Sequence, residues 1–177
     1  SGAAYLFDGT TGALLHTFLN PTPAYYDWFG RSVAGIGNNI LVGAPLDDNA
    51  GFTDNGVVYL FDGTTGALLH TFLNPTPAAK DRFGQSVAVA GNSVLVGALM
   101  DDAGATDSGA VYLFDGITGV LLHTFLNPTP AFRDYFGVSV AWVGNNVLVG
   151  AYKDDAGSSD SGAAYLFDGT TGALLHT

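Results

Sequence analysis

From Arg31 to Gly37 the chain reads RSVAGIG, a short alternation that breaks at Gly37-Asn38, a two-residue hairpin signal. The next run, NILVGA (Asn39–Ala44), is almost continuously apolar and gives way to a loop rich in Asp, Gly and Thr. A third run, VVYLF (Val57–Phe61), closes on the Asp62-Gly63 turn. A fourth, ALLHTFL (Ala67–Leu73), stops at Asn74, Pro75 and Pro77. These runs predict four strands. Strands two and three are apolar on both faces, which suits the middle of a sheet covered on both sides. Strand four carries His70 and Thr71 and ends at prolines, as a solvent-side edge strand does.

The pattern then repeats. GAAYLFDG at Gly2, GVVYLFDG at Gly56, GAVYLFDG at Gly109 and GAAYLFDG at Gly162 lie 54, 53 and 53 residues apart. A period of this size marks stacked supersecondary units, and four-stranded antiparallel sheets covered by their neighbours describe the blades of a β-propeller. The expected architecture is therefore all-β, a single repeat domain over 1–177. A half-blade hairpin (1–17) precedes repeats at 18–74, 75–127 and 128–177, with 14 strands in total. Three blades fall short of the roughly four to eight that close a ring.

FGRSVA, ILVGAP and GVVYLF resemble the FG-GAP repeat, the blade unit of the integrin α-subunit head and of many bacterial surface proteins. Phe29-Gly30, Phe83-Gly84 and Phe136-Gly137 match its first element. Gly43-Ala44-Pro45 matches the second, which decays to Gly97-Ala98-Leu99 and Gly150-Ala151-Tyr152. The resemblance spans essentially the whole chain and implies a propeller, with an adhesion or binding role in an extracellular or cell-surface setting. Calcium cages of the family use alternating Asp and Asn in the hairpin between strands one and two. Here that hairpin is GIGNNI, AVAGNSV or AWVGNNV, without a carboxylate.

All 16 acidic residues are Asp, and with five Lys and Arg the net charge is −11. Such a field repels nucleic acid and anionic membranes. No apolar run approaches the roughly 18–20 residues that span a bilayer, so no membrane insertion is expected. The chain contains no cysteine, which excludes disulfides and thiolate metal sites. It begins at Ser1 without Met and carries no visible signal peptide, as a processed form or a fragment does.

Within the recurring frame PTPA-x-x-D-x-FG-x-SVA, variation concentrates on positions predicted to share one rim. These are Tyr25, Tyr26 and Trp28; then Ala79, Lys80 and Arg82; then Phe132, Arg133 and Tyr135. Tyr152 and Lys153 join them from the loop between strands two and three. Aromatic residues and Arg are enriched at binding hot spots, so a recognition surface for a protein or glycan is the leading reading. Packing between blades and drift after duplication are the others. The same rim gathers twelve aspartates, Asp27, Asp81 and Asp134 among them. Asp47, Asp48 and Asp54, Asp101, Asp102 and Asp107, and Asp154, Asp155 and Asp160 suit a weakly held Ca²⁺. Turn formation and solubility explain them at least as well, and no cofactor is expected.

His16, His70, His123 and His176 occupy one repeated position, with no unique nucleophile or acid beside them. A catalytic site needs a unique constellation, so no enzyme is expected. The rival to a binding module is a structural repeat protein that assembles rings or fibres. Finally, Ser1–Thr17 and Ser161–Thr177 are the same 17 residues. Identical hairpins at the two ends predict a homo-oligomer, a dimer completing one propeller.

Overall fold

The computed structural model describes residues 2–177, and among them every regular element is a strand. The first hairpin is β1 (Ala3–Phe7) and β2 (Leu14–Leu19). The first blade follows as β3 (Ser32–Ile36), β4 (Asn39–Ala44), β5 (Val57–Asp62) and β6 (Leu68–Leu73). The second is β7 (Phe83–Ala90), β8 (Ser93–Ala98), β9 (Ala110–Asp115) and β10 (Leu121–Leu126). The third is β11 (Ser139–Val143), β12 (Asn146–Ala151), β13 (Ala163–Asp168) and β14 (Leu174–His176). Each blade is a four-stranded antiparallel sheet in chain order, and β1–β2 form a separate half-blade. The result is a partial β-propeller, an open arc of three blades and a half.

The doubly apolar strands are where the patterning places them. β4 and β5 are buried along nearly their whole length, while β6 exposes Leu68, Leu69 and Leu73 at the outer edge. β3, β7 and β11 lie next to one another at the inner edge. Core clusters form between sheets. Ala4 and Phe18 of the half-blade pack with Phe29, Val42, Tyr59 and Phe61. Leu41, Val58 and Phe72 of the first blade pack with Phe83, Val94 and Tyr112 of the second. Leu95, Val111 and Phe125 repeat this against Phe136, Val147 and Tyr165.

The Phe-Gly element is the hinge of each junction. Phe83 and Phe136 are fully buried, and Phe29 nearly so. Gly84 follows with φ 88°, and a Cβ there would lie 2.9 Å from the Val57 carbonyl of the preceding blade. Only glycine combines that dihedral with that approach. Inner strands are then stitched together: Ser32 Oγ donates to the Gly84 carbonyl and Ser86 Oγ to the Gly137 carbonyl, both at 2.8 Å.

Candidate functional site

At one rim, the link entering each blade meets the loop between that blade's second and third strands, and the invariant residues of the frame account for the meeting. Asn20 follows β2, and its side-chain amide donates to Asp27 (2.7 Å) and Asp47 (3.0 Å). The Ala24 N–H donates to Asp27 at 2.6 Å, and the Tyr59 hydroxyl donates to Asp47 at 3.0 Å. The Thr22 hydroxyl lies 2.8 Å from that of Tyr59.

The second and third repeats rebuild this buried node. Asn74 donates to Asp81 at 2.7 Å, and Tyr112 to Asp101 at 2.6 Å. Asn127 donates to Asp134 at 2.7 Å, and Tyr165 to Asp154 at 2.6 Å. Burial pushes the carboxyls of Asp47, Asp101 and Asp134 above the usual carboxylate range, and that of Asp81 up to about 6. Burial also raises the hydroxyls of Tyr59 and Tyr112, and that of Tyr165 to about 12, so all three remain donors at neutral pH.

The variable positions stand on this node and face outward. Tyr25 is 84% exposed and Phe132 65%; Tyr26, Trp28, Lys80, Arg133 and Tyr152 are also exposed. Two clusters result. Tyr25 and Tyr26 meet edge-on with centroids 4.1 Å apart, close in sequence to Trp28. Arg133 places its guanidinium 4.7 Å over the Phe132 ring, with Nε 3.3 Å from Asp107.

Tyr135 departs from the expected rim. It is buried, stacked on Tyr152 at 5.6 Å and 18°, with Lys153 Nζ 5.8 Å from its ring, so it serves packing. Arg82 is likewise half-buried.

Sequence patterning missed the backbone here. Tyr26, Trp28, Lys80, Arg82, Arg133 and Tyr135 all have φ between 55° and 74°. That left-handed region favours Gly or Asn and costs other residues roughly 1–2 kcal/mol each. At four of the six a neighbouring loop holds it: Lys80 N–H donates to the Thr53 carbonyl (2.8 Å) and Arg133 N–H to that of Thr106 (3.0 Å). Arg82 N–H reaches Asp54 (3.2 Å), and Tyr135 N–H reaches Asp107 (3.3 Å). Neither Gly nor Asn occupies any of the six positions.

The Asp-rich loops do not gather their carboxylates around a point. Asp47, Asp101 and Asp154 are held in the nodes, whereas Asp48, Asp102 and Asp155 each cap a turn. They accept the N–H of Asp54 (2.9 Å), Asp107 (2.8 Å) and Asp160 (2.7 Å) respectively. Among the described residues no three carboxylates or histidines converge at metal-binding spacing. Three of the four histidines act between blades on the opposite rim, and His176 is exposed. His16 Nε2 lies 2.7 Å from the Thr64 carbonyl, and His70 and His123 fill the space that a side chain at Gly119 or Gly172 would take.

Comparison with known proteins places this geometry in context. A family model described as FG-GAP repeat matches three times, at residues 22–61, 75–114 and 129–167. The chain is 33% identical to Integrin alpha-2 of Bos taurus over 136 residues, covering 64% of this chain and 11% of that protein. It is 34% identical to Integrin alpha-2 of Mus musculus over 122 residues, covering 60% and 10%. The chain thus spans about a tenth of the length of these relatives. Among solved structures, the computationally designed Ika8 protein superimposes with a TM-score of 0.62 at 19% identity, over 96% of this chain and 41% of that one. The designed Ika4 protein gives 0.58 at 20%, over 86% and 73%.

Proposed function

The chain belongs to the FG-GAP repeat family, and from that premise we propose that it is a non-enzymatic binding module of the adhesion type, acting outside the cell or at its surface. The presenting surface is the rim of Tyr25, Tyr26 and Trp28, with Lys80, Phe132, Arg133 and Tyr152. The observation that carries this reading is the retention of large side chains at left-handed backbone positions. Strain held at solvent-exposed loop positions such as Lys80 and Tyr26, whose ring meets the also exposed Tyr25, is what a recognition surface tolerates and a mere connector does not. The ligand is a protein or glycan, since exposed aromatic faces and cations suit both sugar stacking and protein hot spots.

The test is binding of the purified chain to a panel of matrix proteins and glycans. Replacing Tyr25 and Trp28 together by Ala is expected to weaken the interaction at least about tenfold, the loss of a single hot-spot contact. Thermal stability should stay unchanged. Unaltered binding by that variant would move the site off the rim.

A structural, self-assembling role is the second reading, and the open flanks of the arc favour it.

A further inference from the structure

The two ends of the arc carry opposite halves of one contact. On the outer flank of the third blade, Ala164 is exposed and Leu148 and Leu166 are partly exposed. Their counterparts Leu41, Val58 and Leu60 in the first blade, and Leu95, Val111 and Leu113 in the second, are at most 4% exposed. Ser139, the counterpart of Ser32 and Ser86, finds no carbonyl among the described residues. A Cβ at Gly43 or Gly97 would strike a carbonyl of the next blade, whereas one at Gly150 would meet only Ser139.

At the other end, the half-blade lacks an inner pair. Tyr5 is 58% exposed and Phe7 56%, although their counterparts in all three blades are buried. A cavity lined by Ala4, Leu6, Phe18, Ala34 and Ile40 opens between the half-blade and the first blade. In the complete junctions the matching space holds Leu41 or Leu95, packed in clusters that include Val94 or Val147, the equivalents of Ile40. Leu148 is the corresponding residue of the third blade. The rim agrees. Lys80 and Arg133 donate to Thr53 and Thr106, and the equivalent carbonyl for Tyr26 is that of Ser159, at the far end of the arc.

We propose that a second copy of this chain joins these halves. The β1–β2 hairpin of each copy takes the place of β13–β14 as the outer half of the other copy's last blade. Two chains then close a six-bladed ring, within the range in which propellers close. The competing hairpins have the same sequence, so the exchange replaces each side-chain contact by an equal one. The N-terminal hairpin is the better occupant. Its β2 runs on to Phe18, which is buried against the first blade of its own chain. Because Leu148 faces Leu166 within the chain, exchange sets it opposite Leu6 of the other copy.

The absence of native cysteine makes this register testable. Light scattering of the full chain at micromolar concentration is expected to give the mass of two chains of 18.2 kDa. The double variant Leu6→Cys/Leu148→Cys, oxidised, should run as a covalent two-chain species. Either single variant should not, since antiparallel partners lie within disulfide reach and the two ends of one arc do not. A one-chain mass overturns the proposal, and so does a two-chain mass without the cross-link. A ladder of longer covalent species overturns ring closure. The wild-type mass decides the question if the cysteine variants fail to fold.

Discussion

Asp81 is buried, at an exposure of only 2%, with Asp101 and Asp102 as nearby neighbours of its own sign. Its carboxyl binds a proton more tightly folded than unfolded, about 6 against 3.8. Stability attached to that proton is therefore present below about pH 4 and lost as the pH rises through 6. Asp47, Asp101 and Asp134 shift in the same direction. The opposite rim works the other way. Asp8, Asp62, Asp115 and Asp168 accept backbone N–H bonds from the threonine-rich turns, which hold them below 3.8, so their contribution fails only in stronger acid. The melting temperature is expected to rise from pH 7 to a maximum near pH 4–5 and fall below it. A flat or monotonically falling profile on acidification would contradict the nodes as drawn. Because the nodal carboxylates already have donors, a chelator is expected to leave the melting temperature unchanged; a drop would show a bound cation. Sequence spacing grouped these aspartates on one rim but could not show them buried. The available signal was the invariance of Asn20, Thr22 and Tyr59 alongside Asp27 and Asp47 across the repeats.

At the scale of elements, the fourteen strands and their turns were legible because each obeys local rules: apolar runs, Asn and Asp-Gly turns, prolines at outer edges. The left-handed residues were not, since neither Tyr26 nor Arg82 announces a positive φ. At Arg82 a tertiary hydrogen bond to the neighbouring loop accompanies it, and Tyr26 adopts it without one. The Phe-Gly hinge was legible as a motif, and its energetic weight follows from burial. Phe83→Ala empties a site at 0% exposure between two blades and is expected to cost about 3–5 kcal/mol in denaturant unfolding. Gly97→Ala adds a methyl group against the Gly137 carbonyl and Ser86 Oγ, neither free to retreat, and should cost about 1–3 kcal/mol or more. A loss below about 1 kcal/mol for Phe83→Ala would mean that this junction is not a closed core.

At the scale of the whole molecule, the same glycine position separates folding from assembly. In the first two blades it abuts the next blade, so substitution there strains the arc itself. Gly150 is the third occurrence, and in a single arc a Cβ there approaches only Ser139 Oγ, at 2.5 Å, a hydroxyl that can rotate away. Gly150→Ala should therefore leave the third blade intact, with the circular dichroism of the parent. Across the junction between copies, however, the facing group is the carbonyl of Gly30, the equivalent of those of Gly84 and Gly137. There the methyl group meets backbone, and the penalty that Gly97→Ala exacts within the chain falls on association instead. An overpacking cost of about 1–3 kcal/mol at each of two equivalent junctions weakens a two-chain ring by roughly 30-fold to 10⁴-fold in its dissociation constant. Gly150→Ala is accordingly expected to shift the light-scattering mass toward one chain at concentrations where the parent remains paired. Retention of the paired mass by a folded Gly150→Ala protein would place the contact between copies somewhere other than this flank.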